Sequence, residues 1–225
     1  MNPHNRTLIP RIGGRFAVLV AVLLFAVSGL ADTIYNNFTG YSDYWYPYGN
    51  PNTATYGELF TSPNNADHNL VSFSFYMGTP TTSGNIITGA YIATWTGSMA
   101  GTLLYSAGPI NYDNLGNEQI TINTGGLALS QNTNYVMFLS VSQFYGQSAG
   151  ETHVSQGTSI TGLNGFAYNN NGGNFGALFT TPWSGPLTPN WAVNLHFVPE
   201  PGAVSLMLLG MGLLGGIGVL RRKLF

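Results

Sequence analysis

Residues 69–77 read Asn-Leu-Val-Ser-Phe-Ser-Phe-Tyr-Met, and their side chains alternate between two faces of an extended chain. A period of two residues is typical of a β-strand that buries one face, because successive side chains point to opposite sides. The stretch therefore predicts a strand with two distinct faces. One face carries Val71, Phe73, Phe75 and Met77, and the opposite face carries Leu70, Ser72, Ser74 and Tyr76.

Short runs rich in Thr, Val, Ile, Tyr and Phe recur on both sides of this stretch, separated by Gly, Asn, Ser and Pro. Strands at intervals of roughly ten residues, with turn residues between them, predict an all-β fold: an antiparallel, jelly-roll-like β-sandwich. The expected inward face of the strand at 134–142 is Tyr135, Met137, Leu139 and Val141, and Ile87, Tyr91, Ala93 and Trp95 should share a face. The other predicted strands are 33–39, 55–61, 86–96, 101–106, 118–123, 174–180 and 191–197.

The N-terminal end has the pattern of a secretory signal peptide. Three arginines (Arg6, Arg11 and Arg15) and no acid precede the apolar run 16–27, and the small residues Gly29 and Ala31 follow it. This order predicts a signal peptide over 1–31 that is cut before Asp32. An uncleaved N-terminal membrane anchor is the alternative.

The C-terminal end has three parts. Pro199, Glu200 and Pro201 come first, and prolines resist both helix and sheet. The uncharged run 203–220 is long enough for a transmembrane helix of roughly 27 Å. The basic residues after it should stay on the cytoplasmic side and set the topology. We therefore expect an exported domain at 32–197 and a C-terminal signal at 198–225, whose basic residues are Arg221, Arg222 and Lys223.

This order of Pro-Glu-Pro, apolar helix and basic cluster resembles the PEP-CTERM protein-sorting signal of Gram-negative bacteria. The resemblance implies export through the secretion translocon, anchoring in the inner membrane and processing by an exosortase-type enzyme. It further implies delivery to the outer surface or the exopolysaccharide matrix.

The body also resembles exported "choice-of-anchor" sandwich domains. The residues that carry this likeness are 55–61, 69–75, 91–95 with 103–106, and 127–135. That family pattern assigns no catalytic residues.

The charges of the chain are unevenly distributed. All 6 Lys and Arg lie in the two terminal signals, whereas seven of the 8 acids lie within 32–197. A domain without fixed cations cannot neutralise phosphates, which argues against nucleic-acid binding. The chain has no cysteine, so thiol catalysis, cysteine-ligated metals and disulfides are excluded.

The best candidate binding feature is the aromatic segment 41–52, expected to be a turn-rich loop. Flat aromatic rings stack on sugar faces or anchor protein interfaces, although the same rings also suit the edge of a core. The candidate glycan-binding residues are Tyr44, Trp45, Tyr46 and Tyr48, and Trp183 is a similar, weaker case. The Asn- and Gly-rich stretch 164–174 is expected to be a flexible loop.

Three further groups of residues could carry chemistry. The cluster of Asp113, Asn114, Asn117 and Glu118 offers oxygen ligands for calcium, although an ordinary turn explains it as well. Glu58, Glu118 and Glu151 could include the carboxylate pair of a glycoside hydrolase, or serve as solubility charges. His68, His153 and His196 show no zinc-like spacing.

The leading hypothesis is therefore a non-enzymatic, exported surface or matrix protein, associated with exopolysaccharide or biofilm and using no cofactor. A glycan-binding module that uses the aromatic segment is the first alternative, and a secreted glycoside hydrolase is the second.

Overall fold

The computed structural model describes residues 32–113 and 115–199, and for residues 43–46 it describes the backbone alone. Two short 3₁₀ helices, Ser142–Phe144 and Phe175–Phe179, accompany the strands. The strands are β1 (Thr33–Asn36), β2 (Asp43–Gly49), β3 (Thr55–Thr61), β4 (Asn69–Thr82), β5 (Ile86–Trp95), β6 (Ala100–Tyr112), β7 (Glu118–Ala128), β8 (Asn134–Ser140), β9 (Glu151–Ser155), β10 (Leu163–Asn169), β11 (Ser184–Leu187) and β12 (Val193–Val198).

The strands form two six-stranded antiparallel sheets, which confirms the predicted sandwich. The first sheet has the order β1-β12-β4-β9-β2, and β7 also pairs with β4. The second sheet has the order β11-β10-β3-β8-β5-β6. Most neighbours in these sheets are distant in sequence, so the order follows from long-range pairing rather than from successive hairpins.

The main core lies between the two sheets. Phe73, Phe75 and Met77 of β4 are fully buried there, as the alternation predicts. The expected inward face of β8 is confirmed as well, since Tyr135, Met137, Leu139 and Val141 all belong to the same cluster. Each buried side chain of this size contributes roughly 1.5–3 kcal/mol relative to exposure, so these alternating faces are the main source of stability.

The start of β4 departs from the prediction. Leu70 is in the core and Val71 is only half-buried, the reverse of the expected faces. The ladder between β4 and β7 shifts register between Leu70 and Ser72. An irregularity of this kind turns the strand locally and changes which side chain faces inward.

The outer face of the second sheet is also partly covered. Tyr91 and Phe138 are buried there beneath Leu178 and Trp183, which follow β10 in the chain. The predicted strand 174–180 is wrong, because these residues form a 3₁₀ helix in which the Asn174 side chain accepts a hydrogen bond from the Ala177 N–H. Strands β5 and β8 are therefore buried on both faces.

Two predicted loops are in fact strands. The aromatic segment 41–52 contains β2, which pairs with β9. The Asn- and Gly-rich stretch 164–174 contains most of β10, which pairs with β3 and buries Phe166 in the main core. Local composition favoured loops, but pairing with neighbouring strands overrode it.

The two ends of the domain lie side by side. Thr33 pairs with Phe197 across β1 and β12. The buried Asn37 side chain fastens this corner, since its Nδ2 donates to the Trp191 carbonyl at 2.9 Å and its Oδ1 accepts from the Val193 N–H at 2.7 Å. The described residues 32–113 and 115–199 belong to one compact unit. The chain thus enters and leaves this unit at neighbouring points.

The predicted signal peptide at 1–31, the predicted helix at 203–220 and the basic residues 221–223 lie outside the described residues. Within the described part of the chain, no helix is long and apolar enough to cross a membrane.

Candidate functional site

The folded domain ends where the predicted sorting motif begins. Strand β12 runs to Val198, and Pro199 follows it directly. Proline has no N–H to donate to a sheet ladder, so its position favours the end of pairing at this point. Glu200 and Pro201 lie outside the described residues.

Tyr48, a predicted glycan-binding residue, belongs to the core instead. Its side chain is fully buried, its hydroxyl is hydrogen-bonded to the Thr88 hydroxyl, and its ring lies edge-on to Tyr56 at 6.2 Å. Burial raises the pKa of the Tyr48 hydroxyl. A role for Tyr48 in binding an external ligand is therefore wrong, because the strand alternation of β2 directs it inward. The side chains of Tyr44, Trp45 and Tyr46 lie outside the described residues.

Residues near the start of β2 form a small aromatic cluster. Phe38 stacks on Tyr76 with ring centres 3.8 Å apart and planes 3° apart, and Tyr41 meets Phe38 edge-on at 4.9 Å. Tyr41 is 41% exposed. The faces of Phe38 and Tyr76 are occupied by each other, so the cluster holds the chain between β1 and β2 against β4.

The candidate calcium loop joins β6 and β7. Asp113 accepts a hydrogen bond from the Leu115 N–H at 3.3 Å, as in an ordinary Asx turn. Partial burial, and then the nearby Asp113 carboxylate, raise the pKa of Glu118. Asn114 lies outside the described residues. Among the residues described, no group of three or more His, Asp or Glu could hold a metal ion, and the calcium site stays a prediction.

Glu58 is the most unusual carboxyl group of the domain. It lies on β3 and is fully buried, and its Oε2 accepts a hydrogen bond from the Trp191 N–H at 2.9 Å. Its Oε1 makes no hydrogen bond to any of the residues that the structure describes. Burial raises its pKa well above the ordinary value, more than the hydrogen bonds from the Trp191 and Gly165 backbone lower it. The interpretation of Glu58 as a solubility charge is therefore wrong.

The structure does not bring the three predicted hydrolase carboxyls to one open surface. Glu58 is enclosed, Glu118 is exposed at the start of β7, and Glu151 is 8% exposed at the start of β9. A glycosidase needs both carboxyls beside a bound sugar. Glu58 has no exposed surface with which to meet one.

The three histidines lie on separate parts of the first sheet. The Nε2 of His196 in β12 lies 2.7 Å from the Oδ2 of Asp32, and both side chains are about two-fifths exposed. The Nδ1 of His153 in β9 lies 3.3 Å from the Thr79 hydroxyl. His68 precedes β4, with its Nδ1 3.3 Å from the Asn65 carbonyl. Each is explained by its own local contact.

Sequence reasoning missed a groove on the outer face of the second sheet. It has a volume of about 290 Å³, and we call it the Trp95 groove. The sequence predicts that Trp95 lies on one face of a strand. No local pattern shows that residues from β3, β5, β8, β10 and β11 meet beside it. The lining includes Leu59, Thr61, Trp95, Asn134, Asn164 and Pro186.

Comparison with known protein families identifies the C-terminal segment. Residues 197–223 match the PEP-CTERM protein-sorting motif. The chain is therefore an exported β-sandwich protein that carries a sorting signal. The motif implies transient anchoring in the membrane and processing by an exosortase.

Two of the solved structures that match this chain are of a clostridial protein. One contains the cysteine protease and lectin-like domains of Cwp84, a surface layer associated protein of Clostridium difficile, with a TM-score of 0.41. Another is the clostridial cysteine protease Cwp84 after propeptide cleavage, with a TM-score of 0.44. Both are 12% identical, and each match covers 75% of this chain but 36% and 40% of the other. A comparison with curated proteins finds no match.

Proposed function

We propose that this chain is a non-enzymatic protein of the cell surface or extracellular matrix of a Gram-negative bacterium. It is exported through the secretion translocon and released from its membrane anchor by an exosortase, and it associates with extracellular polysaccharide. The observation that carries the proposal is the position of the sorting motif, whose match starts at residue 197, just before the end of the last strand.

This position suits processing because it leaves the fold intact. The match overlaps the sheet by only Phe197 and Val198, so a cut beyond Pro199 removes no strand residue. The pairing of Thr33 with Phe197 places the start and the end of the domain at one corner. The two terminal signals are therefore attached to the folded domain at neighbouring points.

The composition supports a structural role outside the cell. Residues 32–199 contain no Lys or Arg, and the chain has no cysteine. Without cysteine it cannot perform the thiol chemistry named for its structural neighbours. Glu58 is fully enclosed, so it has no exposed surface with which to meet a substrate.

The test is fractionation of a Gram-negative host that expresses the full chain, with and without an exosortase. With the enzyme, we expect a product that starts at Asp32 and lacks the basic residues Arg221–Lys223, recovered from the outer surface or the medium. Without it, the product should stay in the inner membrane and keep its C-terminal residues. Mass spectrometry of both ends measures this directly.

A variant with Pro199, Glu200 and Pro201 all changed to Ala should accumulate in the inner membrane even when the exosortase is present. Leu115→Ser serves as the matched control, because Leu115 is 83% exposed and lies far from the motif in sequence. Recovery of the full chain from the cytoplasm with both ends intact would refute the proposal.

A further inference from the structure

We propose that the Trp95 groove is a binding site for a neutral oligosaccharide. Most of its lining residues lie on strands of the second sheet, whose outer face Leu178 and Trp183 partly cover, and Gly97 lies in the turn after β5. Its volume of about 290 Å³ lies at the lower end of the range for small-molecule sites, ~300–1,000 Å³, which suits one or two sugar rings.

Three polar side chains form a ladder across the groove. The Asn164 Nδ2 donates to the Thr61 hydroxyl at 2.8 Å, and that hydroxyl donates to the Asn134 Oδ1 at 2.7 Å. The ladder orients both amides and uses one polar atom of each. Within the described residues, the Oδ1 of Asn164 and the Nδ2 of Asn134 take no part in the ladder, so one can accept and one can donate, and both side chains are exposed. Adjacent sugar hydroxyls both donate and accept, and this pair of groups matches them.

An aromatic ring lies beside the ladder. Trp95 is half-buried, and its ring meets that of Trp183 edge-on, with centres 5.8 Å apart and planes 82° apart. Trp183 is itself fixed, since its Nε1 donates to the Leu178 carbonyl at 2.9 Å. The Trp95 ring is thus held before any ligand arrives, which lowers the entropy lost on binding. A rigid ring beside polar groups suits the apolar C–H face of a sugar.

The charges of the groove decide which sugars fit. None of the described residues that line it carries a charge. No Lys or Arg occurs between residues 32 and 199, so none can neutralise a uronate, sulfate or phosphate group. A neutral sugar loses no charge hydration on entering such a groove, whereas an acidic sugar does. The geometry therefore favours chains of neutral hexoses over acidic polysaccharides.

Neutral oligosaccharides would be the binding partners of the proposed matrix protein. That the protein meets them outside the cell rests on the proposed function. The binding itself does not depend on sorting. A chain that binds sugars but remains in the cytoplasm would refute the proposed function alone, whereas a correctly sorted chain that binds no neutral sugar would refute the groove alone.

The experiment uses the full chain purified in detergent and titrated with linear tetrasaccharides of glucose, mannose and galactose. Uronic-acid tetrasaccharides provide the charged comparison. Trp95→Ala should weaken binding of the preferred neutral sugar about tenfold or more. The double variant Asn134→Ala with Asn164→Ala should weaken it by a similar factor through the loss of two hydrogen bonds. Both asparagines are exposed, so this variant should keep the wild-type melting temperature.

Leu115→Ser is the matched control, because Leu115 is 83% exposed and is not among the described residues that line the groove. It should bind like the wild type. Three results would overturn the proposal: unchanged affinity in the double variant, loss of binding in Trp45→Ala but not in Trp95→Ala, or stronger binding of the uronic-acid chains. Failure of the wild type to bind any of the neutral tetrasaccharides would overturn it as well.

Discussion

The Glu58→Gln variant should become increasingly more stable than the wild type as the pH rises. Glu58 is fully buried, and no Lys or Arg exists in residues 32–199 to pair with it. Burial raises its pKa, so the folded state keeps a proton that the unfolded chain has already released. Folding then takes up a proton, and the free energy of unfolding falls as the pH increases.

The size of this effect follows from the linkage relation. The contribution of Glu58 is fully present below its unfolded pKa, near 4.5, and is lost as the pH rises toward its folded pKa. Within that window the free energy of unfolding falls by up to about 1.4 kcal/mol per pH unit. A change of this size per pH unit is a sizeable share of the roughly 5–15 kcal/mol typical of a domain.

Glutamine keeps the contacts but not the titration. Its carbonyl oxygen can still accept the hydrogen bond from the Trp191 N–H, and its amide NH₂ group takes the place of an oxygen that makes no hydrogen bond to the described residues. Glu58→Leu, in contrast, would leave the Trp191 N–H unsatisfied, at about 1–3 kcal/mol. The Glu58→Gln variant therefore measures how much the titration of Glu58 contributes to the free energy of unfolding.

The assay is urea unfolding of residues 32–199 between pH 4 and pH 9. The wild type should lose stability relative to Glu58→Gln above the ordinary carboxyl pKa, while the two agree at the acid end. Glu118→Gln is the control. Its carboxyl is exposed, and solvent screening should keep its effect much smaller. Parallel pH curves for the wild type and Glu58→Gln would contradict a buried, protonated Glu58.

Two further substitutions test the packing of the domain, each by urea unfolding. Asn37→Ala should lower the free energy of unfolding by about 2–4 kcal/mol, because it leaves the buried Trp191 carbonyl and Val193 N–H without their hydrogen bonds to Asn37. Asn36→Ala, at an exposed position, should lower it by no more than about 1 kcal/mol. Similar losses in the two variants would show that the hydrogen bonds of Asn37 do not hold this corner together. Gly49→Ala should destabilise more than Gly40→Ala: φ is positive at both, 132° and 141°, but only at Gly49 would a Cβ collide with the Gly150 carbonyl. The strain alone costs about 1–3 kcal/mol; equal losses at the two sites would show that the collision is relieved.

Local alternation predicted the sandwich well. In β4 and β8, the faces read from the sequence hold Phe73, Phe75, Met137 and Leu139 in the main core. The errors occur where composition and pairing disagree. The turn-rich residues of β2 and β10 nevertheless form strands, because partners far along the chain satisfy their backbone groups.

The candidate sites follow the same division. The sorting motif is a contiguous pattern, and it matches where the sequence placed it. The aromatic segment was chosen from composition alone, and Tyr48 proved to be a core residue. The ladder of the Trp95 groove joins Thr61 to residues 73 and 103 positions away, a distance that no local pattern spans.

The sequence by itself determined the antiparallel sandwich, the cation-free character of the body and the sorting motif, because each is set by neighbouring residues or by composition. Only the tertiary structure decided the strand order, the enclosure of Glu58 and the meeting of Trp95 with two amides. These depend on which strands lie side by side and on which faces they cover, and that choice comes from the packing of the whole chain.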